Sequence, residues 1–121
     1  MSNGDAFGIY VANIGDLDGD GIHDIAAGAL WDDNGGTNRG SLHIMFMNSN
    51  GTIKSTVEIN DSTANGPVLS NYDYFGVSVA NIGDLDGDGV NDIAAGANED
   101  DNGGTNRGAL HIMLMNSNGT V

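Results

Sequence analysis

The sequence predicts an all-β protein made of two copies of one antiparallel sheet, and three observations carry that expectation. Apolar residues fall in short runs bounded by glycine, of which there are 20 against a single proline, and this punctuation reads as strands and turns. Those runs do not recur at the 3.6-residue period of a helix. Finally, shifting the chain by 68 residues lays residues 69–121 on residues 1–53 with 41 of 53 positions identical. Residues 54–68 have no second copy, so the chain holds one full repeat and most of another. Repeats of this length make solenoids, propellers or arrays. A single unit cannot bury its own faces, and about three are usually needed. The expectation is therefore that several chains assemble, or that the chain is part of a longer protein.

Each element follows from local pattern. Phe7 to Asn13 (FGIYVAN) is rich in β-branched and aromatic residues and predicts a first strand. Asp24 to Leu30 (DIAAGAL) is a run of small apolar residues, suited to a strand packed closely on both faces. A polar turn, Trp31 to Arg39, carries Gly35-Gly36. Gly40 to Met47 (GSLHIMFM) predicts a third strand, with Leu42, Ile44 and Phe46 on one face and Ser41, His43, Met45 and Met47 on the other. Asn48 to Gly51 is a turn. Ile53 to Ile59 (IKSTVEI) alternates apolar and polar residues, as an outer strand with one wet face does. Four antiparallel strands per unit, the last the most polar, is the pattern of a propeller blade. The second copy repeats strands one to three at 75–81, 92–97 and 108–115. It reaches Val121 where its outer strand would begin, which leaves its third strand as an unpaired edge. The predicted division is 1–68 for the first blade and 69–121 for the second.

Charge narrows the function. Seventeen acidic residues face only Arg39, Lys54 and Arg107, for a net charge of −14. Nucleic acid and anionic membrane surfaces both need basic residues. No apolar stretch approaches the ~20 residues of a membrane span. With no cysteine, disulfides and thiolate metal sites are excluded. The opening Met-Ser-Asn-Gly-Asp has neither the basic nor the apolar region of a signal peptide.

The acidic residues are patterned. Asp16, Asp18, Asp20 and Asp24 occupy positions 1, 3, 5 and 9 of the loop 16–24, and Asp84, Asp86, Asp88 and Asp92 repeat them in the loop 84–92. Four carboxylates this close repel one another unless a cation lies among them. Ca²⁺ takes 6–8 oxygens and tolerates irregular cages. Gly21 and Gly89 stand at position 6, where the chain turns sharply, and Ile22 and Val90 at position 7 would offer backbone carbonyls. The opening matches an EF-hand loop, yet position 12 is Ala27 or Ala95 where that motif needs a bidentate Glu. Asp24 and Asp92 would instead close the cage. Mg²⁺ prefers fewer carboxylates and more water, and Zn²⁺ wants His or Cys. His23 is replaced by Asn91 in the second copy and is not expected to ligate.

Each unit resembles the FG-GAP repeat of integrin α-subunit propellers. The resemblance rests on Phe7-Gly8 and Phe75-Gly76, on the two Asp loops, on Ala27-Gly28-Ala29 and Ala95-Gly96-Ala97, and on the Gly35-Gly36…Gly40 and Gly103-Gly104…Gly108 turns. It implies a β-propeller with Ca²⁺ between the first two strands of a blade. By analogy it also implies an extracellular or cell-surface setting and a role in adhesion or ligand binding.

His43 and His111 are repeat-equivalent and read as hydrogen-bonded packing residues. Asp32-Asp33 and Glu99-Asp100-Asp101 resemble glycosidase carboxylate pairs but read as solvated turn charge, with Arg39 and Arg107 as partners. Trp31 could stack on a sugar. Tyr72 and Tyr74 are expected to pack between blades. The resulting expectation is non-enzymatic: a structural unit binding two Ca²⁺ per chain. Trimers or tetramers of it would close six- or eight-bladed rings, or it would belong to a longer propeller. The competing expectation is an adhesion or carbohydrate-binding module using loops such as 31–39.

Overall fold

A computed structural model describes all 121 residues. It holds seven strands and no helix: β1 (Phe7–Gly15), β2 (Asp24–Ala29), β3 (Ser41–Met47), β4 (Ile53–Ile59), β5 (Phe75–Gly83), β6 (Asp92–Ala97) and β7 (Ala109–Met113). They form two antiparallel sheets with strand orders β1-β2-β3-β4 and β5-β6-β7. The fold is the all-β arrangement of propeller blades, the second lacking an outer strand. The strand edges differ slightly from expectation. β1 and β5 run two residues further, to Gly15 and Gly83, because Gly15 and Gly83 still pair with Asp24 and Asp92. β7 stops at Met113 rather than residue 115, for it has no fourth strand to hold its far edge, whereas β3 pairs with β4 out to Met47.

Register explains the Phe-Gly pair at the start of each sheet. Pairing slips between Phe7 and Tyr10, and again between Phe75 and Ser78, where Gly8 and Gly76 take φ of 81° and 88°. The resulting bulge pushes the Gly76 carbonyl outward, against Gly28 of the neighbouring sheet. A methyl group at Gly28 would overlap that carbonyl, so glycine on both sides lets the two backbones touch.

The sheets share one core. Leu42, Ile44 and Phe46 of β3 lie on one face with Ile14, Leu17 and Ala26, and meet Phe75, Ile93, Ala95, Ala97, Met113 and Met115 of the second sheet. Every residue of β6 is buried, as its run of small side chains anticipates. Backbone bonds reinforce the joint: Phe75 N–H donates to the Arg39 carbonyl at 2.9 Å, and Tyr72 N–H to Thr37 at 2.9 Å. Gly40 forms a parallel bridge to Phe75. The Arg39 guanidinium meets Asp61 at 2.5 Å and Asn71 at 3.1 Å.

Here three expectations are corrected. Arg39 pairs with Asp61 rather than with its own turn, because residues 61–75 wrap back over that turn. Tyr72 and Tyr74 stack edge to face on each other, with Tyr72 half exposed; Phe75, fully buried, fills the space between sheets. Both tyrosines have positive φ, 71° and 55°, and Tyr74 is half-buried. Asp32 and Asp100 are not solvated. They are 3% and 0% exposed, each drawn inward to accept a turn N–H, from Asn34 at 2.9 Å and from Asn102 at 2.7 Å.

Candidate metal centres

The two Asp loops link β1 to β2 and β5 to β6, and they have nearly the same internal bonds. Asp16 Oδ1 accepts from Gly19 N–H and Asp20 N–H at 2.8 and 3.0 Å, and Oδ2 from Gly21 N–H at 2.8 Å. Asp84 does the same with Gly87, Asp88 and Gly89 at 2.7, 3.0 and 2.9 Å. Asp20 accepts from Ile22 N–H, and Asp88 from Val90 N–H, both at 2.8 Å. Side-chain oxygens thus do the work of turn carbonyls, while Gly21 and Gly89 (φ 87° and 89°) supply the left-handed corner.

Asp24 and Asp92 close each loop. Both are fully buried. Asp24 accepts from Leu17 N–H at 2.9 Å and from Met47 N–H at 3.0 Å; Asp92 accepts from Leu85 N–H at 2.7 Å and Met115 N–H at 2.9 Å. Asp24 therefore ties its loop to the end of β3, and Asp92 ties its loop to Met115, just past β7. One oxygen each from Asp16, Asp18 and Asp24 lies within 4.8 Å of the others, and likewise from Asp84, Asp86 and Asp92. Oxygens bound to one Ca²⁺ at about 2.4 Å lie no more than about 4.8 Å apart, so the donor sets fit a hard divalent ion. Asp20 and Asp88 are outside these convergent triads, and Ile22 and Val90 are half-buried beside them. Val90 packs against the shared core. His23 points elsewhere, bonding Asn13 through Nδ1 at 2.9 Å.

The electrostatics of the two loops differ. Lys54, on β4, places its ammonium 2.7 Å from Asp18 Oδ2 and 2.5 Å from Asp20 Oδ2. Its hydrogen bonds to Asp18 and Asp20 hold the Lys54 pKa well above the ordinary lysine value, and the bond to Lys54 holds Asp20 below the ordinary aspartate value. In the second loop the Gly89 N–H bond lowers Asp84, whereas lost hydration, aided by the charges of Asp88, Asp92 and Asp84, raises Asp86. Lys54 carries no sequence signal of its own. It reads as one polar position on an outer strand, and only the Met47–Ile53 pairing brings it over the loop mouth.

The remaining candidates are engaged in packing. Ser41 Oγ donates to Asp32 at 2.7 Å and lies 3.1 Å from His43 Nε2, and His43 meets Phe7 edge to face. His111 stands 3.3 Å from Asp100 and edge to face with Phe75. Asp33 and Asp101 accept from Asn38 N–H and Asn106 N–H and close their turns. Trp31 is half exposed. Two buried acids escaped sequence reasoning, Asp5 and its repeat-equivalent Asp73: Asp5 accepts from Ser2 N–H through Oδ2, and Asp73 accepts from Ser70 N–H through Oδ2 while its Oδ1 has no partner, and burial raises the Asp73 pKa.

Comparison with known proteins agrees with the sheet pattern. The FG-GAP repeat family matches residues 9–45 and 75–113. Integrin alpha-6 of Gallus gallus is 36% identical over 94 residues, 78% of this chain and 8% of that protein. Integrin alpha-6 of Homo sapiens is 35% identical over 94 residues, covering 78% and 7%. Integrin alpha-PS5 of Drosophila melanogaster is 30% identical over 97 residues, covering 80% and 9%. The chain spans less than a tenth of the length of these relatives. The family's two matched segments cover most of β1–β3 and all of β5–β7, with both Asp loops, so the chain belongs to the FG-GAP repeat family of integrin-α-type β-propellers.

Proposed function

We propose that the chain is a calcium-binding structural unit of an integrin-like β-propeller, completed into a ring by further blades. Residues 1–68 form one blade and 69–121 the next. Each loop takes one Ca²⁺, held by Asp16, Asp18, Asp20, Asp24 and the Ile22 carbonyl, and by Asp84, Asp86, Asp88, Asp92 and the Val90 carbonyl. The observation that carries this reading is the repetition, nearly bond for bond, of a convergent carboxylate triad backed by a buried aspartate. When bound, the ion supplies folding stability, about 2.7 kcal/mol per site at a hundredfold excess over its dissociation constant. The role is structural rather than catalytic, since His43, His111, Asp32 and Asp100 are committed to packing bonds. An extracellular or cell-surface setting follows from the family.

Exposure supports completion by copies of the chain, or by the rest of a longer propeller. Leu42, Ile44 and Phe46 are 0–4% exposed, yet their equivalents Leu110, Ile112 and Leu114 are 66%, 48% and 44% exposed. Conversely Phe75 is fully buried and its equivalent Phe7 is 42% exposed. The face left open on the second blade thus repeats the face that the first blade buries, and the open face of the first repeats the one the second buries. Docking a second copy head to tail would reproduce the internal joint, giving trimers or tetramers with six or eight blades. Calorimetric titration with Ca²⁺ tests the first half, with two ions per chain expected; solution mass with Ca²⁺ and with EDTA tests the second. Absence of heat and an unchanged melting point in EDTA would remove the calcium reading.

A further inference from the structure

We propose that Lys54 is a built-in competitor for Ca²⁺ at the first calcium loop and weakens the hold of that loop on its ion. The inference rests on the calcium reading above and concerns what sets the affinity of its sites.

The two loops are almost identical in sequence, from Asp16 to Asp24 and from Asp84 to Asp92, differing only at Ile22/Val90 and His23/Asn91. Their internal bonds agree to within about 0.2 Å. What acts on the first loop from outside is β4. It pairs with β3 so that Ile53 stands opposite Met47, whose N–H is bonded to the loop-closing Asp24. That register sets Lys54 across the mouth of the first loop, where its ammonium bridges Asp18 Oδ2 and Asp20 Oδ2.

An ammonium and a calcium ion seek the same oxygens, and both cannot hold them at once. Ca²⁺ entering the first loop must break two short charge-assisted bonds and leave a like charge a few ångströms away. Lys54 is 38% exposed, so water and salt screen much of this cost. The expected handicap is correspondingly moderate, about tenfold in dissociation constant. The same contact gives the calcium-free first loop a neutralising cation.

The test is Ca²⁺ titration calorimetry of the full chain at 0.15 M salt, for the wild type, Lys54→Met, Lys54→Arg and Lys54→Glu, with Asp86→Asn marking the second loop. Lys54→Met should tighten the first-loop site about tenfold and leave the second-loop site unchanged. Lys54→Glu should tighten the first-loop site further, and Lys54→Arg should leave it weak. Asp86→Asn should weaken the site that ignores Lys54. Two filled sites with constants unmoved by Lys54→Met and Lys54→Glu would overturn the inference while leaving the calcium reading intact. Absence of Ca²⁺ binding in every variant would overturn both.

Discussion

Phe7 and Phe75 occupy the same repeat position, follow the same strand pattern and stack edge to face on the same histidine, His43 or His111. They differ in what lies over them: Phe75 is fully buried against the first blade, and Phe7 is 42% exposed. Truncating Phe75 to alanine opens a cavity in the shared core and should cost about 3–5 kcal/mol. Truncating Phe7 removes a ring already more than a third in water and should cost about 1–2 kcal/mol. For a chain of this size one kcal/mol moves the midpoint by roughly 3–6 °C. Phe75→Ala should therefore lower Tm by about 9–30 °C and Phe7→Ala by about 3–12 °C. Circular-dichroism melts in saturating Ca²⁺, at a concentration where light scattering gives a single-chain mass, make the comparison. Repeating them where copies associate should bring the Phe7→Ala loss up toward that of Phe75→Ala, because a neighbour would then cover the ring. Equal losses from the two substitutions in the single chain would refute the assignment of buried and open faces.

EDTA should lower Tm, and Asp18→Ala combined with Asp86→Ala should lower it as far with Ca²⁺ present; the melts that test stability above read this directly. Val11→Asp and Ile112→Asp each place a charge on one open face, so each alone should leave single chains, while a mixture should form a one-to-one complex through the two unaltered faces; mass photometry distinguishes these outcomes. Gly28→Ala should destabilise severely, since its methyl meets the Gly76 backbone, whereas Gly96→Ala meets only the Ser78 hydroxyl and should be mild; urea midpoints rank the two. Asp73 binds its proton more tightly folded than unfolded, so its contribution is lost as pH rises from the unfolded carboxylate pKa through the raised folded one. Asp73→Asn keeps an acceptor for Ser70 N–H and should raise Tm at pH 7 by a few degrees, with the gain shrinking below pH 4.

Periodicity and turn chemistry made most of this legible in the sequence. The alternation of Leu42, Ile44 and Phe46 with Ser41 and His43 assigned both faces of β3, and the small residues of DIAAGA announced a strand buried on both sides. The Asp-loop spacing placed Asp16, Asp18 and Asp24 together because the intervening residues are too few to let them part. What stayed hidden depends on partners far along the chain. Lys54 meets Asp18 across 36 residues, and Arg39 meets Asp61 across 22, through a strand register and a wrapping segment that local pattern does not encode. Asp32 and Asp100 look like surface charge because their identity is polar; their burial follows from the turn N–H groups they satisfy. Above all, two nearly identical copies cannot reveal which one is covered, since that depends on the neighbour and not on the residues.

The glycine-to-glycine touch between Gly28 and Gly76 has a geometric consequence. It is the point at which each sheet is pivoted against the next, and because both surfaces are bare backbone, the angle there is fixed by main-chain sterics rather than by adaptable side chains. A head-to-tail series built on a stiff pivot either comes back on itself after a whole number of steps or climbs past its own beginning as a filament. In the ring proposed above, a slight change of angle at that hinge would be multiplied around the circuit and decide between closure and a filament. The bare backbone at position 28 would then set the closing angle as well as permit tight packing.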